Sequence, residues 1–145
     1  MVVTKRAMTL LEIMMVILII GIIAAVTGKS MKGNLDKGKV FQSEQGSRMV
    51  YDMLALEIAQ GTSIEDVIRD PKAILEASGM AQNPEKLLKD GWGHPYQIIQ
   101  TEGEDFVVYS KTFIERLRAK RTDEEIAEQY PWMYTTNIEE SFYAH

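Results

Sequence analysis

A single carboxylate, Glu12, lies inside residues 8–26, which are otherwise apolar apart from Thr9 and Gly21. Immediately ahead of that run stand a basic pair, Lys5-Arg6, and a small residue, Ala7. A charge in a membrane-competent segment costs about 2.5–3.5 kcal/mol at mid-bilayer, less near an end, so it persists where a partner charge compensates it. The chemistry open to Glu12 is therefore electrostatic: it can hold a cation where low dielectric strengthens attraction and penalises an unpaired charge. Elsewhere the chain offers little reactive chemistry. It has no cysteine, which excludes disulfides, thiolate catalysis and cysteine-based metal sites. Its two histidines are His94 and His145, and no Ser-His-Asp set, phosphate loop or HExxH motif is present. Glu102, Glu104 and Asp105 are hard-cation ligands in type, but a solvated hairpin loop is the better account of them. Asp123-Glu124-Glu125 reads as a first-turn cluster favoured by the helix dipole. The chain is not expected to be an enzyme, and no metal ligand is assigned.

The elements that must position Glu12 begin with its own helix. A membrane span needs about 20 apolar residues, and residues 8–28 meet that requirement. From residue 35 to residue 60 there is no proline, and apolar residues recur at helical spacing. Met49, Val50, Met53, Leu54 and Leu56 can share one broad face, with Val40 and Phe41 further back and Arg48, Asp52 and Glu57 largely outside it. This Met-rich stripe is expected to be core packing. Gly28, Gly33, Gly38 and Gly46 interrupt the helix at about 1 kcal/mol each; their spacing is not that of a GxxxG dimer motif. Three other readings of the amino end compete. A secretory signal would be cut after the apolar run, near Ala24-Ala25-Val26-Thr27-Gly28; a plain anchor explains the length but not Glu12; a buried core helix needs a far larger domain around it.

Beyond residue 60 the punctuation changes. Gly61 suits a helix end, Ser63-Ile-Glu-Asp66 resembles a capping box, and Asp70-Pro71 and Asn83-Pro84 each pair an N-cap with a proline at the first helical position. These signals predict short helices over residues 72–78 and 85–89, closed by Gly79 and Gly91. Residues 96–101 and 106–110 are rich in β-branched and aromatic residues, separated by Glu102-Gly103-Glu104-Asp105, and predict a hairpin. Residues 111–121 predict a basic helix and Thr122 the cap of a short acidic one, stopped by Pro131. Trp132, Tyr134, Phe142 and Tyr143 fall in a tail with no clear pattern. The 145 residues carry a net charge of −5; without Lys5 and Arg6 the balance is 14 basic against 21 acidic, or −7. An acidic chain is a poor nucleic-acid binder. Basic residues before the span and acidic excess after it favour a cytoplasmic amino end.

The run Lys5-Arg6-Ala7-Met8-Thr9-Leu10-Leu11-Glu12, followed by its apolar stretch, closely resembles the leader of the type IV pilin and pseudopilin superfamily. The resemblance implies cleavage by a prepilin peptidase between Ala7 and Met8 and N-methylation of Met8. Glu12 is then the fifth residue of the mature chain, pairing with a neighbour's Met8 amine during assembly. Lys5, Arg6, Leu10 and Leu11 would serve recognition by the peptidase or the inner-membrane secretion platform. A second stretch, Lys89-Asp90-Gly91-Trp92-Gly93-His94-Pro95-Tyr96, is similar to the tryptophan loop of the major pseudopilins of type II secretion. There Trp92, Gly93, Pro95 and Tyr96 would form a structural loop, with Trp92 against the helix face around Met49–Leu56.

Together these imply an α+β, pilin-like fold: a long N-terminal helix, half transmembrane and half amphipathic, on short helices and a small antiparallel sheet. The domains would be a cleaved leader (1–7), a transmembrane polymerisation helix (8–28) and a soluble periplasmic domain (29–145). The implied function is a homopolymeric subunit of the secretion pseudopilus, meeting other pseudopilins and anchored by a single pass in a bacterial inner membrane. A type IV pilin, a competence pseudopilin or a tethered domain that never polymerises are the alternatives. Two departures stand out. A proline expected at Lys29 is missing, and the glycine cluster would have to supply the same local weakness. The calcium loop of the family is replaced by helical sequence after Ser110, so no cofactor is predicted and no residue is matched to calcium.

Overall fold

The structure, a computed structural model, describes residues 9–138, and within the first helix the side chains of all but residues 29–32. The chain divides into two compact units, Met1–Lys37 and Gly38–His145. Helix α1 (Leu10–Ala59) runs through both. In the first unit its residues 10–26 are apolar and exposed. Leu10, Leu11, Met14 and Ile17 are 81, 69, 62 and 64% exposed, and the exposed apolar series continues to Val26. It is the one helix among the described residues long and apolar enough to cross a membrane.

In the second unit the rest of the architecture follows the caps. Helices α2 (Ile64–Arg69), α3 (Pro71–Ser78) and α4 (Pro84–Leu87) are each opened by a side chain accepting a backbone N–H, from Ser63, Asp70 and Asn83. Gly79 ends α3 in the left-handed conformation, where lack of a Cβ removes the strain. Strands β1 (Gln97–Gln100) and β2 (Phe106–Tyr109) pair antiparallel, Gln97 opposite Tyr109 and Gln100 opposite Phe106. Helix α5 (Lys111–Arg118) is capped by Ser110, and α6 (Asp123–Gln129) by a full capping box between Thr122 and Glu125. This is the α+β, pilin-like arrangement expected from the sequence.

Strand β2 is buried on both faces and separates two cores. Phe106 and Val108 join Val50, Leu54, Val67, Leu75 and Tyr96 on one side. Val107 and Tyr109 join Phe113, Ile114, Ile126, Tyr130, Met133, Tyr134 and Ile138 on the other. The period of two along a strand makes that division automatic. The free edge of β2 is also covered, since Val108 N–H donates to the Trp132 carbonyl at 2.8 Å. Residues 130–138, patternless in sequence, thus supply a large part of one core.

Of the Met-rich face expected on α1, Val50 and Leu54 are core and Met53 packs against it, but the buried stripe continues through two serines instead of Met49 and Leu56. Ser43, Ser47, Val50 and Leu54 are fully buried, whereas Met49 and Leu56 are 49 and 45% exposed. Spacings of four, three and four put the two serines and the two aliphatics on one line. The stripe is half polar because loops with backbone donors and acceptors pack on its lower part.

Candidate functional site

Two regions bear on function: the amino-terminal turn of α1 and the loop at residues 89–96. Lys5, Arg6, Ala7 and Met8, expected at the cleavage, methylation and recognition positions, lie outside the described residues. Leu10 and Leu11 open α1 and are fully outward. Glu12 is in the first turn, with Thr9 ahead of it. The Thr9 N–H donates to Glu12 Oε2 and the Glu12 N–H donates to Thr9 Oγ1, both at 3.3 Å. This reciprocal pair is a capping box, which satisfies two backbone donors at a helix start. The signature Thr-x-x-Glu was readable in the sequence at Thr9–Glu12 and gives Glu12 a local role beside any charge pairing. The bonds are long and exposed, so the carboxylate remains accessible to a stronger cationic partner. Just past the apolar run, Thr27 donates its hydroxyl to the Ile23 carbonyl at 2.8 Å, so this polar side chain needs no water.

The loop is organised by a residue that sequence reasoning passed over. Asp90 is 3% exposed. Its Oδ1 accepts the N–H groups of Trp92 (3.0 Å) and His94 (2.9 Å), and its Oδ2 accepts the Ser110 hydroxyl at 2.9 Å. The Asp90 N–H in turn donates to the His94 carbonyl at 2.8 Å. A buried carboxylate is tolerated when several donors replace its water. Its signal was the side chain two residues before a Trp-Gly turn, the Asx pattern.

From that hub the loop docks on α1. The Gly91 N–H donates to Ser43 Oγ at 2.8 Å. A Cβ on Gly91 would come within 2.3 Å of the Lys39 carbonyl, so only glycine fits. Tyr96 donates its hydroxyl to the Ser43 carbonyl at 3.0 Å, and a Cβ on Gly46 would lie 2.8 Å from that hydroxyl. Burial pushes the Tyr96 phenol well above its ordinary range, the nearby Asp90 adds to the rise, and the bond to Ser43 opposes it. Trp92 is placed otherwise than expected. It is half-buried and packs on the core around Phe113 and Tyr130 rather than against Met49–Leu56, with the Arg116 guanidinium 5.0 Å from its ring. The residues that lock onto α1 are Tyr96 and Trp132, whose Nε1 donates to Ser47 Oγ at 3.1 Å. Gly93 takes φ +81°, Pro95 is exposed, and His94 is exposed with Nδ1 3.2 Å from Thr112 Oγ1.

Near α5 and α6, where no calcium ligand could be matched, Arg118 donates to Asp123 at 2.9 Å and to the Tyr134 hydroxyl at 2.9 Å. Burial works against the charged guanidinium, but these bonds outweigh it and raise its pKa. Among the described residues no group of three or more acidic, histidine or cysteine side chains converges as a metal site would require.

The chain is 32% identical to type II secretion system core protein G of Klebsiella michiganensis over 105 residues, covering 66% of this chain and 74% of that protein. The chain belongs to that family. Core protein G of Klebsiella pneumoniae is 31% identical over a similar stretch. A chlamydial protein with an outer-membrane designation, from Chlamydia trachomatis, is 45% identical over 109 residues, covering 74% of this chain and 88% of its own length. No family model and no solved structure matches the chain.

Proposed function

We propose that this chain is a structural, non-enzymatic subunit of a type II secretion pseudopilus. A prepilin peptidase cuts between Ala7 and Met8 and methylates Met8, and the subunit polymerises with itself and other pseudopilins on an inner-membrane platform. The kinship with core protein G supports the system. The observation that carries the polymer is the uncovered apolar surface of residues 10–26 with Glu12 in its first turn.

The mechanism follows from charge and register. The amine of a processed Met8 and the Glu12 carboxylate are four residues apart on one chain, and the cap to Thr9 already engages Glu12 locally. A neighbour displaced along the helix axis brings its Glu12 to the first chain's amine. In a low-dielectric setting that attraction selects one register and penalises others. Aliphatic side chains from Ile13 to Val26 then bury against one another. The single apolar helix with Lys5-Arg6 before it supports a single pass in the inner membrane, amino end cytoplasmic and the second unit periplasmic; the outer-membrane designation of the chlamydial relatives is the competing location.

The test is the mass of the amino-terminal peptide recovered from membranes. A peptide beginning at N-methylated Met8 is expected. One beginning at Met1 sinks the processing scheme, and one beginning near Thr27 returns the segment to a secretory signal.

A further inference from the structure

The stretch between Ser110 and Trp132 stands where the family resemblance implies a calcium loop. This chain fills it with two helices whose facing ends carry opposite charge. Helix α5 has Arg116 and Arg118 in its last turn, and α6 opens on Asp123, Glu124 and Glu125. The helix dipole favours cations at a carboxyl end and anions at an amino end. A tight turn joins the two, with the N–H groups of Lys120 and Arg121 both donating to the Leu117 carbonyl at 2.9 Å.

Arg118 sits at that junction and bonds across it. Its Nε donates to Asp123 Oδ1 at 2.9 Å and its Nη2 to Asp123 Oδ2 at 3.4 Å, a two-pronged contact. The same Nη2 donates to the Tyr134 hydroxyl at 2.9 Å. Tyr134 is buried in the core with Phe113, Ile126 and Tyr130. Two residues before it, the Trp132 carbonyl accepts the Val108 N–H of β2. One guanidinium thus ties the end of α5, the start of α6 and the segment that covers the edge of β2. The Arg118 and Asp123 side chains are 33 and 34% exposed. An isolated surface ion pair contributes little, but a fork with a third partner and partial burial contributes more.

A calcium ion would join segments differently, by gathering about six to eight oxygens. The donor set here does not fit it. Asp123 is engaged by Arg118, Glu125 Oε2 accepts the Thr122 N–H at 3.0 Å, and Glu115 faces Lys111 at 4.0 Å. Between Ser110 and Trp132 five basic residues accompany five acidic ones, so the stretch has no net negative charge to attract a divalent ion. We propose that Arg118 does in this chain the cross-linking that a bound calcium would do, so that the fold is independent of calcium. Assembly, which rests on the polymer reading above, is then independent of calcium as well.

The test is the melting temperature of the full chain in detergent. It should be the same in excess EGTA and in excess calcium chloride. An ion present at about a hundred times its dissociation constant would instead raise it by about 10 °C. Arg118→Gln should lower the melt by several degrees, and Arg118→Lys, which keeps the charge but not the fork, by less. Tyr134→Phe should lower it in the wild-type background and add nothing to Arg118→Gln, since the two groups act through one bond. A calcium-dependent rise in the wild type overturns the proposal. So does an unchanged melt in Arg118→Gln, or a Tyr134→Phe loss that persists in full beside it. Sedimentable polymer on membranes should be equal in EGTA and in calcium. Polymer that forms only with calcium overturns the claim about assembly, while the melts decide the fold. No polymer in either condition means that the polymer reading has failed and takes the assembly claim with it, the melts again deciding the fold.

Discussion

Leu10 and Leu54 are the same residue type on the same helix, yet one is 81% exposed and the other fully buried. In the second unit the chain covers one line along the helix, with serines 43 and 47 bonded to loop residues and Val50 and Leu54 sealed by β2 and α3. In the first unit the described apolar side chains from Leu10 to Val26 stay exposed, and the Thr9–Glu12 cap and the Thr27 back-bond satisfy polar groups locally. Burial by the chain itself is a statement about folding. Surface the chain leaves apolar over more than four turns is long and apolar enough to cross a membrane.

The largest effect that could break this contrast is at Glu12. Glu12→Leu should stay in membranes through an alkaline wash, because a desolvation cost has been removed. Breaking one side of a buried pair costs about 3–5 kcal/mol, so sedimentable polymer should fall at least tenfold. Glu12→Gln separates the two roles of this residue, since glutamine also serves at that position of a capping box. Assembly by Glu12→Gln at the wild-type level would leave the cap as the only role of Glu12.

Paired substitutions sharpen the comparison next. Leu54→Ala should cost about 2–5 kcal/mol and lower the melting temperature of the full chain in detergent. Leu18→Ala, whose side chain is 63% exposed, should leave that melt unchanged. Equal losses would mean the first unit is covered by its own chain. Within the loop, Tyr96→Ala should cost about 3–5 kcal/mol, and half-buried Trp92→Ala less, within the ordinary range of about 0.5–3. A larger loss at Trp92 would restore it as the anchor.

Much of this was legible because the signals were local. Asp70-Pro71, Asn83-Pro84 and Thr122 opened helices as their chemistry required, and the hairpin came from β-branched content with a gap of the right length. Two things were not. The choice between Trp92 and Tyr96 as the residue that locks onto α1 depends on where Asp90 aims the turn, a tertiary matter decided by Ser110 and α5. The segment 130–138 has no period because it is neither helix nor strand for most of its length; its residues are selected by the shape of the core they enter. The misplaced part of the Met-rich stripe has the same origin. Periodicity counted Met49 and Leu56 as core because they are apolar, and passed over Ser43 and Ser47 because they are not.

The smallest expected effect probes the loop contact with protons. The Tyr96 phenol is held above its ordinary value of 10.0 by burial and by Asp90. The unfolded chain therefore loses that proton first as pH rises, and stability declines from about pH 10 upward while being fully present below it. The slope is at most about 1.4 kcal/mol per pH unit for one group. Tyr51 adds a weaker contribution of the same sign, since its burial and its two carboxylates also raise it. Tyr96→Phe keeps the ring but loses the bond to the Ser43 carbonyl, a cost of about 0.5–1.5 kcal/mol. Near neutral pH that variant should be the less stable of the two. Above pH 10 its stability should fall more slowly than the wild type's, so the two curves approach each other. Parallel curves in a urea titration at pH 8 and pH 11 would mean that the Tyr96 hydroxyl is not sealed against α1.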